Sequence, residues 1–314
     1  MPFVEANGIR HHFVEKGTGP LVLMLHGFPE TSHTWRHQID AVAAAGYRAV
    51  APDVRGYGET DAPRDVKDYL LRTLVDDAIG IVQALGEKQA VVVGHDWGAS
   101  IAWECARTHP ESFRAVVAMS VPLPMRPPAP PTAIFAKRFP GSFFYMLYFQ
   151  EADRPEKELE ADPRRTLRLI YQAASGEAAT PGQGFAFKPP GAGLLEGMVD
   201  TPVLPPWLTE HDLDVLEAAF RRSGFRGPLN RYRAMDLDWA ESEATADRPV
   251  TVPALFIAGD RDMTVILAKN SLDRMQERVP QLRRVLMIPG AGHWIGEERP
   301  REVNDALVAF LRQL

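Results

Sequence analysis

The sequence predicts an α/β fold: a mostly parallel sheet with helices on both faces and a helical segment inserted near the middle of the chain. Three observations predict it. Short apolar runs alternate with helical patterns at both ends of the chain, the signature of a sheet buried on both faces. That alternation stops between about residues 121 and 247. One run also enters a helical pattern directly, through the glycine-flanked turn Gly94-His95-Asp96-Trp97-Gly98.

Residues 3–16, with Asn7-Gly8 inside them, read as a two-stranded hairpin. Apolar runs at 21–25, 47–51, 90–93, 115–119, 254–258 and 284–288 read as sheet strands. Helical patterns occupy 34–45, 69–85, 99–109 and 268–279, and a last one, 302–314, closes the chain. A proline-rich hinge at 122–131 opens the break in alternation. Beyond it come helical patterns without a convincing buried strand. A Gly/Pro-rich stretch, 180–206, is too long for an ordinary connection and reads as a functional loop. The expected organisation is a core of residues 1–121 and 248–314, with 122–247 inserted as a helical lid.

Composition narrows the function. The 314 residues are 45% hydrophobic and 24% charged, ordinary values for a soluble globular protein, and can bury a full core. A net charge of −6 argues against nucleic acid or an anionic membrane as partner. The arginine pairs at 164–165, 221–222 and 283–284 lie among acids and read as solvated helix faces. The single cysteine, Cys105, excludes an intrachain disulfide framework and falls in an apolar helical run, as a buried structural thiol would. No stretch has membrane-spanning length, and Glu5 stands where a secretory leader would be basic. A cytoplasmic monomer or homodimer is expected.

The turn after the 90–93 run is a Gly-x-nucleophile-x-Gly corner, with Asp96 in the nucleophile position. The following helix N-terminus favours an anion there. Asp is also a preferred helix N-cap. The flanking glycines, the preceding buried run and the partners downstream favour catalysis. A carboxylate attacks an electrophilic carbon to give an ester, whereas a serine would acylate. The run 21–25 leads into His26-Gly27-Phe28-Pro29-Glu30, where the N–H of Phe28, with that of Trp97, can form an oxyanion hole. His26 reads as a brace for that loop.

In this kind of site the acid and the base follow the nucleophile in that order. Gly259-Asp260-Arg261-Asp262 offers two acids; Asp260 sits in the tight turn, where Asp commonly serves the backbone, which favours Asp262. His293, in Gly292-His293-Trp294, lies on a loop at the carboxyl end of the last run, where such sheets build sites. The other histidines have structural readings: His11 and His12 face opposite ways in a strand, and His33, His37, His109 and His211 lie in polar helical or capping contexts. No spacing resembles a zinc site. The expected triad is Asp96–His293–Asp262, with no metal or cofactor.

These residues resemble the soluble epoxide hydrolase family of the α/β-hydrolase fold. The resemblance runs through nearly the whole chain: His26–Glu30, Gly94–Gly98, Gly292–Trp294, and two segments of the expected lid, 145–150 and 224–233. It implies one tyrosine from each lid segment as acid, Tyr145 and Tyr232. Periodicity alone cannot separate Tyr145 from Tyr148, three residues on. It further implies a small apolar epoxide and water as reactants, a vicinal diol as product, a covalent alkyl-enzyme intermediate on Asp96, and substrate contacts from Phe28, Trp97, Tyr145 and Tyr232. A detoxifying role goes with it. One departure stands out: the position before Tyr232, usually aromatic in that family, is Arg231. The competing readings are a haloalkane dehalogenase with the same Asp nucleophile, which would want an amide rather than Phe28, and a non-catalytic ligand receptor, which would lack a triad member.

Overall fold

The computed structural model describes residues 2–180 and 182–314. The chain opens with β1 (Phe3–Ala6) and β2 (Ile9–Lys16), an antiparallel hairpin. It turns at Asn7-Gly8, both at positive φ, the conformation a tight hairpin turn requires. Next come β3 (Leu21–Leu25), α1 (Arg36–Ala44), β4 (Arg48–Pro52) and α2 (Leu71–Ala84). β5 (Ala90–His95), α3 (Trp97–Thr108) and β6 (Phe113–Met119) complete the first part of the sheet.

The chain then leaves the sheet. This excursion carries α4 (Pro131–Arg138), β7 (Phe143–Phe144), α5 (Tyr145–Tyr148), α6 (Arg154–Ala161) and α7 (Pro163–Ala174). It continues through β8 (Ala186–Lys188), α8 (Glu210–Ser223), α9 (Arg226–Arg233) and α10 (Met235–Glu241). The sheet resumes with β9 (Ala254–Gly259), three short helices α11 (Met263–Leu267), α12 (Lys269–Asp273) and α13 (Met275–Arg278), and β10 (Leu282–Ile288). α14 (Ile295–Glu298) and α15 (Pro300–Leu311) end the chain.

Eight strands form one sheet in the order β1-β2-β4-β3-β5-β6-β9-β10, parallel from β4 to β10. Its central strands β3, β5 and β9 are buried along their whole length, which is why they read as unbroken apolar runs. Strand alternation divides their side chains between two cores. Val22, Met24, Val91 and Val93 pack with Ile39, Leu307 and Phe310 under α1 and α15. Leu21, Leu23, Leu25 and Val92 pack on the opposite face with Leu74, Ile81 and Ile101 of α2 and α3. Cys105 is fully buried in that second core, and burial pushes its thiol well above the usual range.

The structure departs from the sequence expectation in four places. A two-stranded sheet, β7 with β8, sits within the excursion; β7 is buried, though only two residues long. The 180–206 stretch contains β8 and is tied down by Lys188, whose Nζ donates to the carbonyls of Gly193 and Leu194 at 2.6 and 2.7 Å. The 268–279 pattern is not one helix but the pair α12 and α13, interrupted at Arg274 after Asn270, Ser271 and Asp273, which are poor helix formers. Arg283 and Arg284 lie exposed on strand β10, not on a helix.

α8 begins with a reciprocal cap between Thr209 and Asp212. Asp212 also accepts from His33 at 2.7 Å and lies 3.2 Å from Arg36, so the excursion is pinned to the core beside α1.

Candidate active site

The site is assembled at the carboxyl ends of β3, β5, β9 and β10. Asp96 occupies the corner between β5 and α3 with φ +52, a conformation L-residues seldom adopt outside functional corners. Glycines make the corner possible. A Cβ on Gly94 would overlap the Gly98 carbonyl, and one on Gly98 would overlap the Leu25 carbonyl, so both sites exclude a side chain. The Asp96 carboxylate does not cap α3. Instead its Oδ1 accepts the backbone N–H of Phe28 at 2.8 Å. Trp97 is the first residue of α3, so its N–H has no intrahelical acceptor and belongs to the free donors at the helix start.

His293 Nε2 lies 3.5 Å from Asp96 Oδ2, and His293 Nδ1 lies 3.1 Å from Asp262 Oδ2. Asp262 Oδ1 accepts from the Thr264 N–H at 2.8 Å and its hydroxyl at 2.7 Å. Burial would raise Asp262, but the charge and hydrogen bond of His293, with Thr264, outweigh it and hold the carboxyl below its usual range. Burial likewise would lower His293; flanked by Asp262 and Asp96, it is held well above the ordinary histidine range. Asp260 is turned elsewhere and accepts the N–H of Gly290 at 2.8 Å.

The His293 loop is fixed from three sides. Its N–H donates to Ala174 at the end of α7 (2.9 Å), and its carbonyl faces His95 Nε2 (2.8 Å) and Ser120 Oγ (3.0 Å). The Trp294 ring stacks on Tyr171 at 4.2 Å and its indole donates to the Tyr171 carbonyl. Glu298 accepts the N–H groups of Gly176, Gly292 and Trp294. His95 in turn meets Glu30, 2.9 Å away, which also accepts the Gly27 N–H and the Thr34 hydroxyl. Sequence reasoning missed this Glu30–His95–Ser120 layer. Glu30 and His95 stood inside the motifs, but nothing in their spacing shows that they meet behind His293.

Tyr145 and Tyr232 line one cavity of about 110 Å³ with Phe28, Asp96, His293 and Asp262. Their rings stand edge to face, 6.0 Å between centroids, and Phe28 packs edge-on to Tyr232 at 5.4 Å. Burial, and then the nearby Asp96 carboxylate, raises both above the usual phenol range. Tyr148 differs: it donates to Glu158 at 2.6 Å and is not part of the cavity wall. Phe144, Phe185, Ile170 and Leu267 make much of the remaining wall apolar. The Trp97 side chain is not among the residues of this wall. Its ring packs edge-on to Tyr232 at 5.1 Å and faces a second cavity, beneath the guanidinium of Arg231 at 4.5 Å.

Three further histidines are engaged away from this site. His26 faces the Gly27 carbonyl through Nδ1 and accepts the Val54 N–H at Nε2. His12 pairs with Asp53 and His33 with Asp212. Among the described residues no group of three or more His, Cys, Asp or Glu side chains is arranged to hold a metal ion, and no helix is long and apolar enough to cross a membrane.

Comparison with known proteins places this geometry in context. Residues 20–300 match the family model described as alpha/beta hydrolase fold. The chain is 40% identical over 317 aligned residues to epoxide hydrolase A of Mycobacterium tuberculosis (strain ATCC 25618 / H37Rv), covering 99% of this chain and 97% of that protein. An epoxide hydrolase from an endophytic Streptomyces superposes with a TM-score of 0.96 at 46% identity, over 99% of this chain and 94% of its own. Epoxide hydrolase A from Mycobacterium thermoresistibile superposes with a TM-score of 0.94 at 40% identity, over 99% and 97%.

Proposed function

The chain belongs to the α/β-hydrolase-fold family, among its epoxide hydrolases, and from that membership we propose that it opens an apolar epoxide to a vicinal diol through an ester on Asp96. The observation that carries the mechanism is the division of the Asp96 carboxylate: Oδ1 on the Phe28 N–H, Oδ2 toward His293.

Residues 122–247 act as a lid and bring Tyr145 and Tyr232 over Asp96. Asp96 Oδ2 attacks an epoxide carbon and forms a C–O bond while the ring C–O bond breaks. The oxygen leaves as an alkoxide and takes a proton from Tyr145 or Tyr232, whose raised pKa values keep them protonated at neutral pH. His293, oriented by Asp262, then removes a proton from water, which attacks the ester carbonyl carbon. The oxyanion develops on Oδ1, where the Phe28 and Trp97 N–H groups receive it. Collapse releases the diol with the former Oδ2, the leaving oxygen taking the proton that the attacking water left on the Asp96 carboxyl, and the water oxygen stays on the restored carboxylate.

The resting charge of His293 supports the same order of events. Two flanking carboxylates outweigh burial and raise its pKa, favouring the protonated form. Ester formation neutralises Asp96, removes one of those charges and lowers the His293 pKa, so that its proton passes to the tyrosinate left by ring opening and the neutral imidazole is free to act as base. The apolar wall favours an apolar substrate.

Turnover of styrene oxide and of a short bromoalkane by wild type and Asp96→Asn tests the reading. Diol from the epoxide alone, lost in the variant, is expected. Bromide release without diol would make the chain a dehalogenase and reduce the two tyrosines to packing residues.

A further inference from the structure

Arg231 stands beside Tyr232 on α9 and is buried, where an aromatic residue was expected. Its guanidinium is held at three points. Nη1 donates to the Tyr69 carbonyl at 2.5 Å, Nη2 pairs with Asp238 of α10, and the planar group lies 4.5 Å over the Trp97 ring. Asp238 also accepts the N–H of Leu71 at 2.7 Å, a free donor at the start of α2. The two side chains together form a clasp on the core. The guanidinium takes a backbone carbonyl and the carboxylate a backbone N–H, two residues apart on the same stretch of chain.

Stability alone does not account for this clasp. Taking both charges out of water is costly, and a well-packed apolar pair would often hold the fold as well. The buried Nε of Arg231 adds to that cost, having no hydrogen-bond partner among the described residues. What the ion pair supplies is direction, because a planar fork of fixed donors admits one placement. That placement matters at Trp97. The indole carries the guanidinium on its face, in cation–π geometry, and meets the Tyr232 ring at 83° with centroids 5.1 Å apart. The other rings that meet Tyr232 edge-on from the core and lid, Phe28 and Phe149, have no polar atom to fix them.

We propose that Arg231 is a positioning residue for ring opening: fastened to the Tyr69 carbonyl and to Asp238, it fixes the Trp97 indole and, through it, the Tyr232 phenol over Asp96. The inference rests on the reading of Tyr232 as an acid. It concerns the first half-reaction alone, because the Trp97 N–H that serves ester hydrolysis is held by the backbone of α3 and not by the indole.

The test is a double-mutant cycle on the full chain, read in pre-steady-state kinetics with styrene oxide. Arg231→Met/Asp238→Asn removes the ion pair without leaving a lone buried charge, and the new amide oxygen can still accept the Leu71 N–H. Alkylation is expected to slow on the order of 10–10²-fold, as displacing a catalytic group by up to about 1 Å does. Ester hydrolysis should stay within about twofold, since the interaction removed belongs to the first step. In a Tyr232→Phe background the same change should have no further effect on alkylation, because the hydroxyl it positions is gone. In a Tyr145→Phe background its effect should persist. Equal slowing with and without the Tyr232 hydroxyl would overturn the proposal and leave the clasp a fastener of the lid. Equal slowing of alkylation and hydrolysis would overturn it too. If the paired variant does not fold, Arg231→Lys runs the same cycle, since it keeps a charge for Asp238 but not the planar fork, and the same outcomes decide. Unchanged alkylation by Tyr232→Phe alone would instead remove the acid reading, and this inference with it.

Discussion

Asp96 Oδ2 lies 3.5 Å from His293 Nε2, while Oδ1 of the same carboxylate holds the Phe28 N–H at 2.8 Å. In the proposed reaction one oxygen faces the base and the other an oxyanion donor, so the two half-reactions separate cleanly. Replacing His293 with Gln should leave alkylation intact and stop hydrolysis. The expected outcome is a burst of one equivalent, with the substrate's mass added to the Asp96 peptide in mass spectrometry. Steady turnover by His293→Gln would show that another group activates water.

Tyr145 and Tyr232 share the cavity of Asp96, whereas Tyr148 is committed to Glu158. Tyr145→Phe and Tyr232→Phe should each slow the alkylation step on the order of 10²–10⁴-fold, the usual worth of general-acid help. Tyr148→Phe should leave that rate within about twofold and cost on the order of 1 kcal/mol of stability through its lost hydrogen bond. Pre-steady-state kinetics and thermal melts read the two effects separately. Unchanged rates in both single variants and their double would exclude the lid phenols as acids.

How much of this arrangement was legible in the sequence depended on how local the signal was. The Gly94–Gly98 corner was legible because its glycines answer a local steric demand, visible in two backbone carbonyls that a Cβ would strike. Asp262 was separable from Asp260 by turn chemistry, and Asp260 does serve the backbone of Gly290. Tyr145 was not separable from Tyr148 by pattern, because three residues of helix put both on one side; only resemblance chose between them. Glu30, Ser120 and the Tyr171–Trp294 stack were invisible because their partners lie far along the chain.

Glu30 makes an acid-stability prediction. Burial would raise its carboxyl, but the charge and hydrogen bond of His95 hold it at about 2, against an ordinary 4.5. A lowered folded-state pKa contributes stability above about 4.5 that is lost as pH falls toward 2. Wild type should therefore lose roughly 2 kcal/mol from this group between pH 5 and pH 3. Denaturant unfolding of Glu30→Gln across that range should show a correspondingly shallower slope, from a lower starting stability. Parallel slopes would contradict the assignment.

Gly27 gives a steric test of the nucleophile's position. A Cβ there would overlap the Asp96 side chain itself. Gly27→Ala should lower kcat/KM by on the order of 10² or more, because displacing a reacting group by about 1 Å costs that much. In an Asp96→Gly background the same substitution should be nearly neutral for stability, and the difference between backgrounds measures the clash. An active Gly27→Ala enzyme would mean that the Asp96 carboxylate does not sit where the chemistry requires it.

The central claim is the ester on Asp96, and a single turnover in ¹⁸O-water with enzyme in excess tests it most directly. The account predicts ¹⁸O on the Asp96 peptide and an unlabelled first-turnover diol, since the diol carries off the former Oδ2. Label in the diol from that first turnover, with none on Asp96, would show that water attacks the epoxide directly and would contradict it.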